Sequence, residues 1–178
     1  SPMTKRITIS TLDAMKSSGD KFVMITAYDA TFARLASEAG AETLLVGDSL
    51  GMVLQGHETT IPVSLDAMVY HTECVARAKP RSLIVADLPF MSFSNSDDAL
   101  HASTQLMQAG AQMVKLEGGT WLSDSINRLV ERGVPVCAHL GLTPQSVNVF
   151  GGYRVQGRTP KEAKSILADA VEIQDAGA

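Results

Sequence analysis

Five short apolar runs, at 22–28, 43–49, 82–89, 113–119 and 134–141, alternate with stretches of helical spacing, and this alternation restricts the fold more than any other feature. The runs have strand length and are apolar on both faces except at their C-terminal ends. That pattern describes a parallel sheet covered by helices rather than an antiparallel sheet with one wet face. Helices are expected at 30–39, 65–78, 97–109, 122–132 and 161–176, with a short opening helix within 4–18. In the helix after the first run, Asp29 caps the start, Phe32, Leu35, Ala36 and Ala39 recur as an apolar face, and Gly40 stops it. Two architectures fit, a (β/α)8 (TIM) barrel and a doubly wound open sheet. No Gly-x-Gly-x-x-Gly turn follows the first run, which weighs against a dinucleotide fold and favours the α/β barrel.

An internal echo bears on the extent of the barrel. Glu38-Ala39-Gly40-Ala41, Gln108-Ala109-Gly110-Ala111 and Asp175-Ala176-Gly177-Ala178 each finish a helix, and the first two lead directly into a strand. A complete barrel needs about 250 residues. The expectation is therefore a single domain over 1–178 that supplies the first five β/α units of a longer barrel, since five strands cannot close one of eight.

With 45% hydrophobic and 19% charged residues the chain is an ordinary globular one, and a net charge of -4 without a basic run argues against nucleic acid or an anionic membrane as partner. No apolar run has membrane-spanning length and no signal pattern opens the chain, so a cytoplasmic location is expected. Cys74 and Cys137 lack metal-ligand spacing and read as reduced core residues. Ser1-Pro2 ahead of Met3 reads as the remnant of a cleaved tag.

Chemistry is expected at the C-terminal strand ends, where ligands of parallel α/β folds bind. In the fourth run Met113, Lys115 and Glu117 share one face and Val114 and Leu116 the other, and Gly118-Gly119 leave room for a ligand near the backbone. The second and third runs end in Asp48 and Asp87; if Leu44, Val46 and Asp48, and likewise Leu83, Val85 and Asp87, face inward, three carboxylates and one ammonium converge. Three acids packed together call for a cation, and all-oxygen ligation by Asp48, Asp87 and Glu117 suits Mg2+. The plainer alternatives are solvated charges for Lys115 and Glu117, and turn caps for Asp48 and Asp87. Lys115 would hold a substrate oxygen, with a Schiff base as the rival role. Ser49 could bind a carboxylate, and His139 and Tyr28 stand at strand ends as further substrate contacts. His57, His71 and His101 read as surface or packing residues.

Several of these segments together resemble the ketopantoate hydroxymethyltransferase family. They are Thr26-Ala27-Tyr28-Asp29, Val46-Gly47-Asp48-Ser49-Leu50-Gly51 with Gln55-Gly56-His57, Ala86-Asp87-Leu88-Pro89-Phe90, Val114-Lys115-Leu116-Glu117-Gly118-Gly119, His139-Leu140-Gly141-Leu142-Thr143-Pro144-Gln145-Ser146 and Gly151-Gly152-Tyr153-Arg154-Val155-Gln156-Gly157-Arg158. The resemblance implies a Mg2+-dependent (β/α)8 barrel, assembled as a homo-oligomer and often a decamer. It implies hydroxymethyl transfer from 5,10-methylenetetrahydrofolate to 3-methyl-2-oxobutanoate, giving 2-dehydropantoate for coenzyme A synthesis. Asp48 and Asp87 match direct metal ligands, Glu117 an acid that reaches the metal through water, and Ser49 and Lys115 the oxo-acid contacts. The family's general base, a glutamate ending the sixth strand, has no counterpart within 1–178. The loop between His139 and Lys161 overhangs the same rim and is the expected wall for the folate. Two other readings stay open, a different metal-dependent 2-oxo acid lyase or mutase on a related barrel, and a non-catalytic scaffold.

Overall fold

The computed structural model describes residues 5–178, so Ser1-Pro2 lies outside the described residues. Five strands, β1 (Met24–Thr26), β2 (Thr43–Val46), β3 (Leu83–Asp87), β4 (Met113–Glu117) and β5 (Val136–His139), lie side by side in chain order with every neighbouring pair parallel. A doubly wound sheet would reverse its strand order, so sequential parallel pairing is the arrangement of a barrel wall. The helices are α1 (Ile9–Ser18), α2 (Ala30–Glu38), α3 (Leu50–Val53), α4 (Leu65–Arg77), α5 (Ser96–Gln108), α6 (Ser123–Glu131), α7 (Val147–Phe150) and α8 (Pro160–Ala176). Their starts follow local chemistry: the Asp29 carboxylate accepts the Phe32 N–H at 2.8 Å, and Thr159 and Glu162 form a reciprocal capping box at α8. The glycine of each echo, Gly40, Gly110 and Gly177, has φ between 101 and 121°, which is the left-handed exit expected there.

The sheet has two unlike faces. Leu44, Val46, Ile84, Ala86, Val114 and Leu116 pack with Met68, Leu106, Ile126 and Leu129 of the covering helices into the main core. On the other face Leu83 and Val85 join Ile7, and Leu45, Met113 and the α1 residues Ile9 and Leu12 pack against them. This corrects the inward set expected for the second strand. Leu44 and Val46 point at the helices, and Asp48 gains its place only because the chain leaves the strand after Val46.

Two further expectations change. The first strand is three residues long and exposed along its length, as one edge of the five strands described. In α2, Phe32 and Leu35 are 63% and 55% exposed, whereas Ala33 and Ser37 are buried. Within the part of the barrel described, α2 contacts β2 and α4, with Ala33 and Ser37 buried and Ala36 packed on the core, and Phe32 and Leu35 left uncovered. No helix among the described residues is long and apolar enough to cross a membrane.

Candidate active site

Register sets the first pair of charges. Asp87 on β3 pairs with Lys115 on β4, and the pleat sends both side chains to the same face, where Lys115 Nζ lies 2.8 Å from Asp87 Oδ1. Glu117, one step along that face, pairs with His139 on β5.

The β2 contribution comes from a turn. Val46 pairs with Ala86, which leaves Gly47 level with Asp87, and a Cβ on Gly47 would lie 3.2 Å from Ser49 Oγ and 3.4 Å from Asp87 Oδ2. Glycine keeps that space clear. The chain turns there, and the Asp48 N–H donates to Asp87 Oδ2 at 2.9 Å. Ser49 then opens α3 with its Oγ 2.7 Å from the Tyr28 hydroxyl. His71 has more than a packing role, because its Nδ1 lies 2.7 Å from the Tyr28 backbone oxygen. That carbonyl can only accept, so Nδ1 carries the proton and the ring fixes the turn that presents Tyr28.

Sequence reasoning assigned no role to Gln145, although it is the hub of the site. Its side-chain amide donates to Asp48 Oδ2 at 2.8 Å and to the Leu88 oxygen at 3.0 Å, while its backbone N–H donates to Glu117 Oε1 at 2.6 Å. One turn residue thereby ties together acids from β2 and β4. The available signal was position, a polar residue in the turn after a strand end, since an isolated glutamine has no charge to attract attention. His139 stands near the same acid, with Nδ1 3.3 Å from Glu117 Oε2 but not aligned as a hydrogen bond.

The electrostatics are unbalanced. Asp48, Asp87 and Glu117 are buried at 7%, 5% and 7% exposure, so the solvated-charge alternative fails for the acids. Burial pushes the Asp48 carboxyl up to about 7, with the Asp87 charge adding to it; the Gln145 hydrogen bond opposes, Glu117 adds again and Lys115 opposes. Burial alone would lower the Lys115 ammonium, but the charge and hydrogen bond of Asp87, with Glu117 and Asp48 behind, raise it above the usual lysine value. Cys74 and Cys137 are free thiols but half-buried rather than core residues, and the pKa of the Cys137 thiol beside Lys115 is raised chiefly by burial.

Among the described residues no three His, Cys, Asp or Glu side chains come together closely enough to hold a metal by themselves. Asp48 and Asp87, adjacent and in surplus over one ammonium, fit a hard cation that takes two carboxylates and fills its shell with water and substrate oxygens. Glu117 stands back, engaged with Gln145 and His139. The room expected beside Gly118 is taken, because a Cβ there would meet the Trp121 ring at 2.6 to 2.9 Å. His57 is exposed, and His101 meets Gln105 on the surface of α5.

Comparison with known proteins follows the same lines. The family model described as Ketopantoate hydroxymethyltransferase matches residues 6–178. The 3-methyl-2-oxobutanoate hydroxymethyltransferase of Burkholderia vietnamiensis is 62% identical over 97% of this chain and 64% of its own length, and that of Marinobacter nauticus is 59% identical over 97% and 65%. The chain thus spans about 64% of the length of the curated relatives it matches. Among solved structures, a phosphonopyruvate hydrolase aligns with TM-score 0.72 at 16% identity, covering 94% of this chain and 59% of that one. A 2,3-dimethylmalate lyase of the PEP mutase/isocitrate lyase superfamily aligns with TM-score 0.69 at 18% identity, covering 95% and 60%. At such identities these two share the barrel fold and nothing more, whereas the family match runs through every strand-end motif of the site. The chain belongs to the ketopantoate hydroxymethyltransferase family.

Proposed function

We propose that this chain carries the oxo-acid and metal side of an enzyme that transfers a hydroxymethyl group from 5,10-methylenetetrahydrofolate to 3-methyl-2-oxobutanoate. Folate would supply the carbon and water the hydroxyl, leaving tetrahydrofolate and 2-dehydropantoate. The observation that carries the reading is Asp87, which accepts from the Lys115 ammonium on one oxygen and from the Asp48 amide on the other, with the Asp48 carboxyl beside it. Such a cluster offers both a cation seat and a fixed positive charge at one strand-end mouth.

Asp48 and Asp87 would hold Mg2+, which when bound supplies positive charge for the keto and carboxylate oxygens of the substrate. A crystal structure of the phosphonopyruvate hydrolase is a complex with oxalate and Mg++; in our reading a 2-oxo acid and the metal make the same kind of pair here. Lys115 points its ammonium at the oxygen on which charge grows as the C3 proton leaves. The ion pair that Lys115 makes with Asp87 favours this electrostatic role over a Schiff base, which needs a neutral amine. Ser49, held by Tyr28, orients the substrate carboxylate so that C3 faces the base, a glutamate outside these residues in our reading. Glu117 and Gln145 keep Asp48 in place, and His139 borders the oxo-acid pocket. The enzyme would work in the cytoplasm as a homo-oligomer.

A lyase or mutase reading would share the acids and Lys115 but has no use for folate. The test is proton exchange: in D2O, the enzyme carrying this chain should replace the C3 proton of 3-methyl-2-oxobutanoate with deuterium only when Mg2+ is present. Absence of exchange under conditions where the folded enzyme is intact would overturn the proposal.

A further inference from the structure

Next to the charged cluster lies a cleft of a different character. Its volume is 150 Å³, and its lining includes Met91, Phe93 and Trp121 together with Glu117, Gln145 and Ser146. Trp121 is the sole tryptophan of these 178 residues and is 60% exposed. Its ring is held rigidly nonetheless. The ring stacks on the buried Phe93 with centroids 5.8 Å apart and planes within 7°, and it lies against Gly118, where no side chain could fit. Met91 is 66% exposed and adopts φ 63°, unusual for a non-glycine residue, and its thioether accepts from the Ser94 hydroxyl at 3.4 Å. An exposed aromatic plate, backed by a second ring and flanked by a polarizable sulfur, is a surface for a flat ring.

The cleft adjoins the charged cluster through two shared residues. Glu117 and Gln145 line it and also belong to the charged cluster, and Ser146 comes from the same turn as Gln145. A donor seated here would deliver its carbon to a substrate held at Asp48, Asp87 and Lys115. Resting on the function proposed above, we infer that this cleft seats the pterin ring of the folate donor, stacked on Trp121. The pterin is flat, and its amino and oxo edge is complementary to the polar wall of Ser146 and Gln145. Its N5, which bears the one-carbon unit, would then face Glu117 and the oxo acid beyond it. Only the first part of the loop between His139 and Lys161 is needed for that wall.

The experiment measures both Michaelis constants in the active enzyme, together with equilibrium binding of tetrahydrofolate in the presence of the oxo acid. Trp121→Ala should raise the folate KM and the tetrahydrofolate Kd by about tenfold to a hundredfold, the usual range for loss of a stacking partner, with the oxo-acid KM within about twofold. Trp121→Phe should restore most of the affinity, and Met91→Ala should give a smaller rise in the folate KM alone. Folate constants unchanged in Trp121→Ala, while wild-type enzyme turns over, would overturn the cleft and leave the function standing. An equal rise in both Michaelis constants would show that the ring only props Glu117, which overturns it too. Failure of wild-type enzyme to bind tetrahydrofolate would remove the function and the cleft together.

Discussion

The two faces of one sheet differ in kind. Toward the helices, Val114 and Leu116 on β4 and Ile84 and Ala86 on β3 are 0% to 1% exposed and entirely apolar. Toward the barrel interior, the alternate residues of the same strands run from the apolar Val85 and Met113 to the charged Asp87, Lys115 and Glu117. Alternation along a strand lets stability and chemistry occupy neighbouring residues without sharing side chains. The lesson is that a charge one step out of phase would land in the apolar core, where burying it costs several kcal/mol.

Single substitutions on either face separate the two roles. The largest effect should come from Asp87→Asn. In the complete enzyme it should abolish metal-dependent turnover and also lower the melting temperature, because the amide keeps one acceptor where the Lys115 ammonium and the Asp48 N–H use two; turnover near wild type would sink the metal assignment. Next, Leu116→Ala on the opposite face should cost about 2 to 5 kcal/mol in denaturant unfolding yet leave turnover per folded molecule close to normal. A loss of activity there without loss of stability would contradict the division of labour. Lys115→Ala should lower kcat/KM for the oxo acid by roughly 10^2 to 10^3-fold, as removal of a preorganised charge does. If borohydride with substrate instead trapped the lysine covalently, the electrostatic role would be wrong. Gln145→Leu should cost about 10 to 100-fold in Mg2+ affinity, read by calorimetry, since it frees Asp48 and Glu117 from a shared anchor.

The smallest effect is a dependence on pH. The Asp48 carboxyl has its pKa raised from 3.8 to about 7, so it holds its proton more tightly folded than unfolded. Its stabilising contribution is therefore full below pH 3.8 and is lost as the pH rises toward about 7, where the folded carboxyl ionises. In the absence of divalent ions, the stability of wild type relative to Asp48→Asn should fall across that window. Mg2+ competes with the same proton, so its affinity should rise with pH through the window, and a flat profile would show that Asp48 is not a ligand.

Alternation and strand-end chemistry were readable from the chain because both are local. A parallel strand buried on two faces has a composition of its own, and Lys115 and Glu117 stand out in an apolar run whatever surrounds them. The barrel over an open doubly wound sheet, the convergence of Asp87, Lys115 and Glu117 on one face, and the C-terminal glycines of the echo all followed from such short-range features. What the chain alone misjudged depends on distant packing. Whether Phe32 and Leu35 are covered is decided by which elements flank α2, and Leu44 faces the helices because register pairs it with Ile84, which faces them too. Gln145 lies 97 residues from Asp48 and 28 from Glu117, and nothing in its neighbourhood along the chain announces either partner. Residue types and periodicity determined which groups this protein could use. Only the tertiary structure, by bringing the ends of β2, β3, β4 and the turn after β5 to one mouth, decided which of them meet, because hydrogen bonds and charge pairing act over a few ångströms of space rather than along sequence.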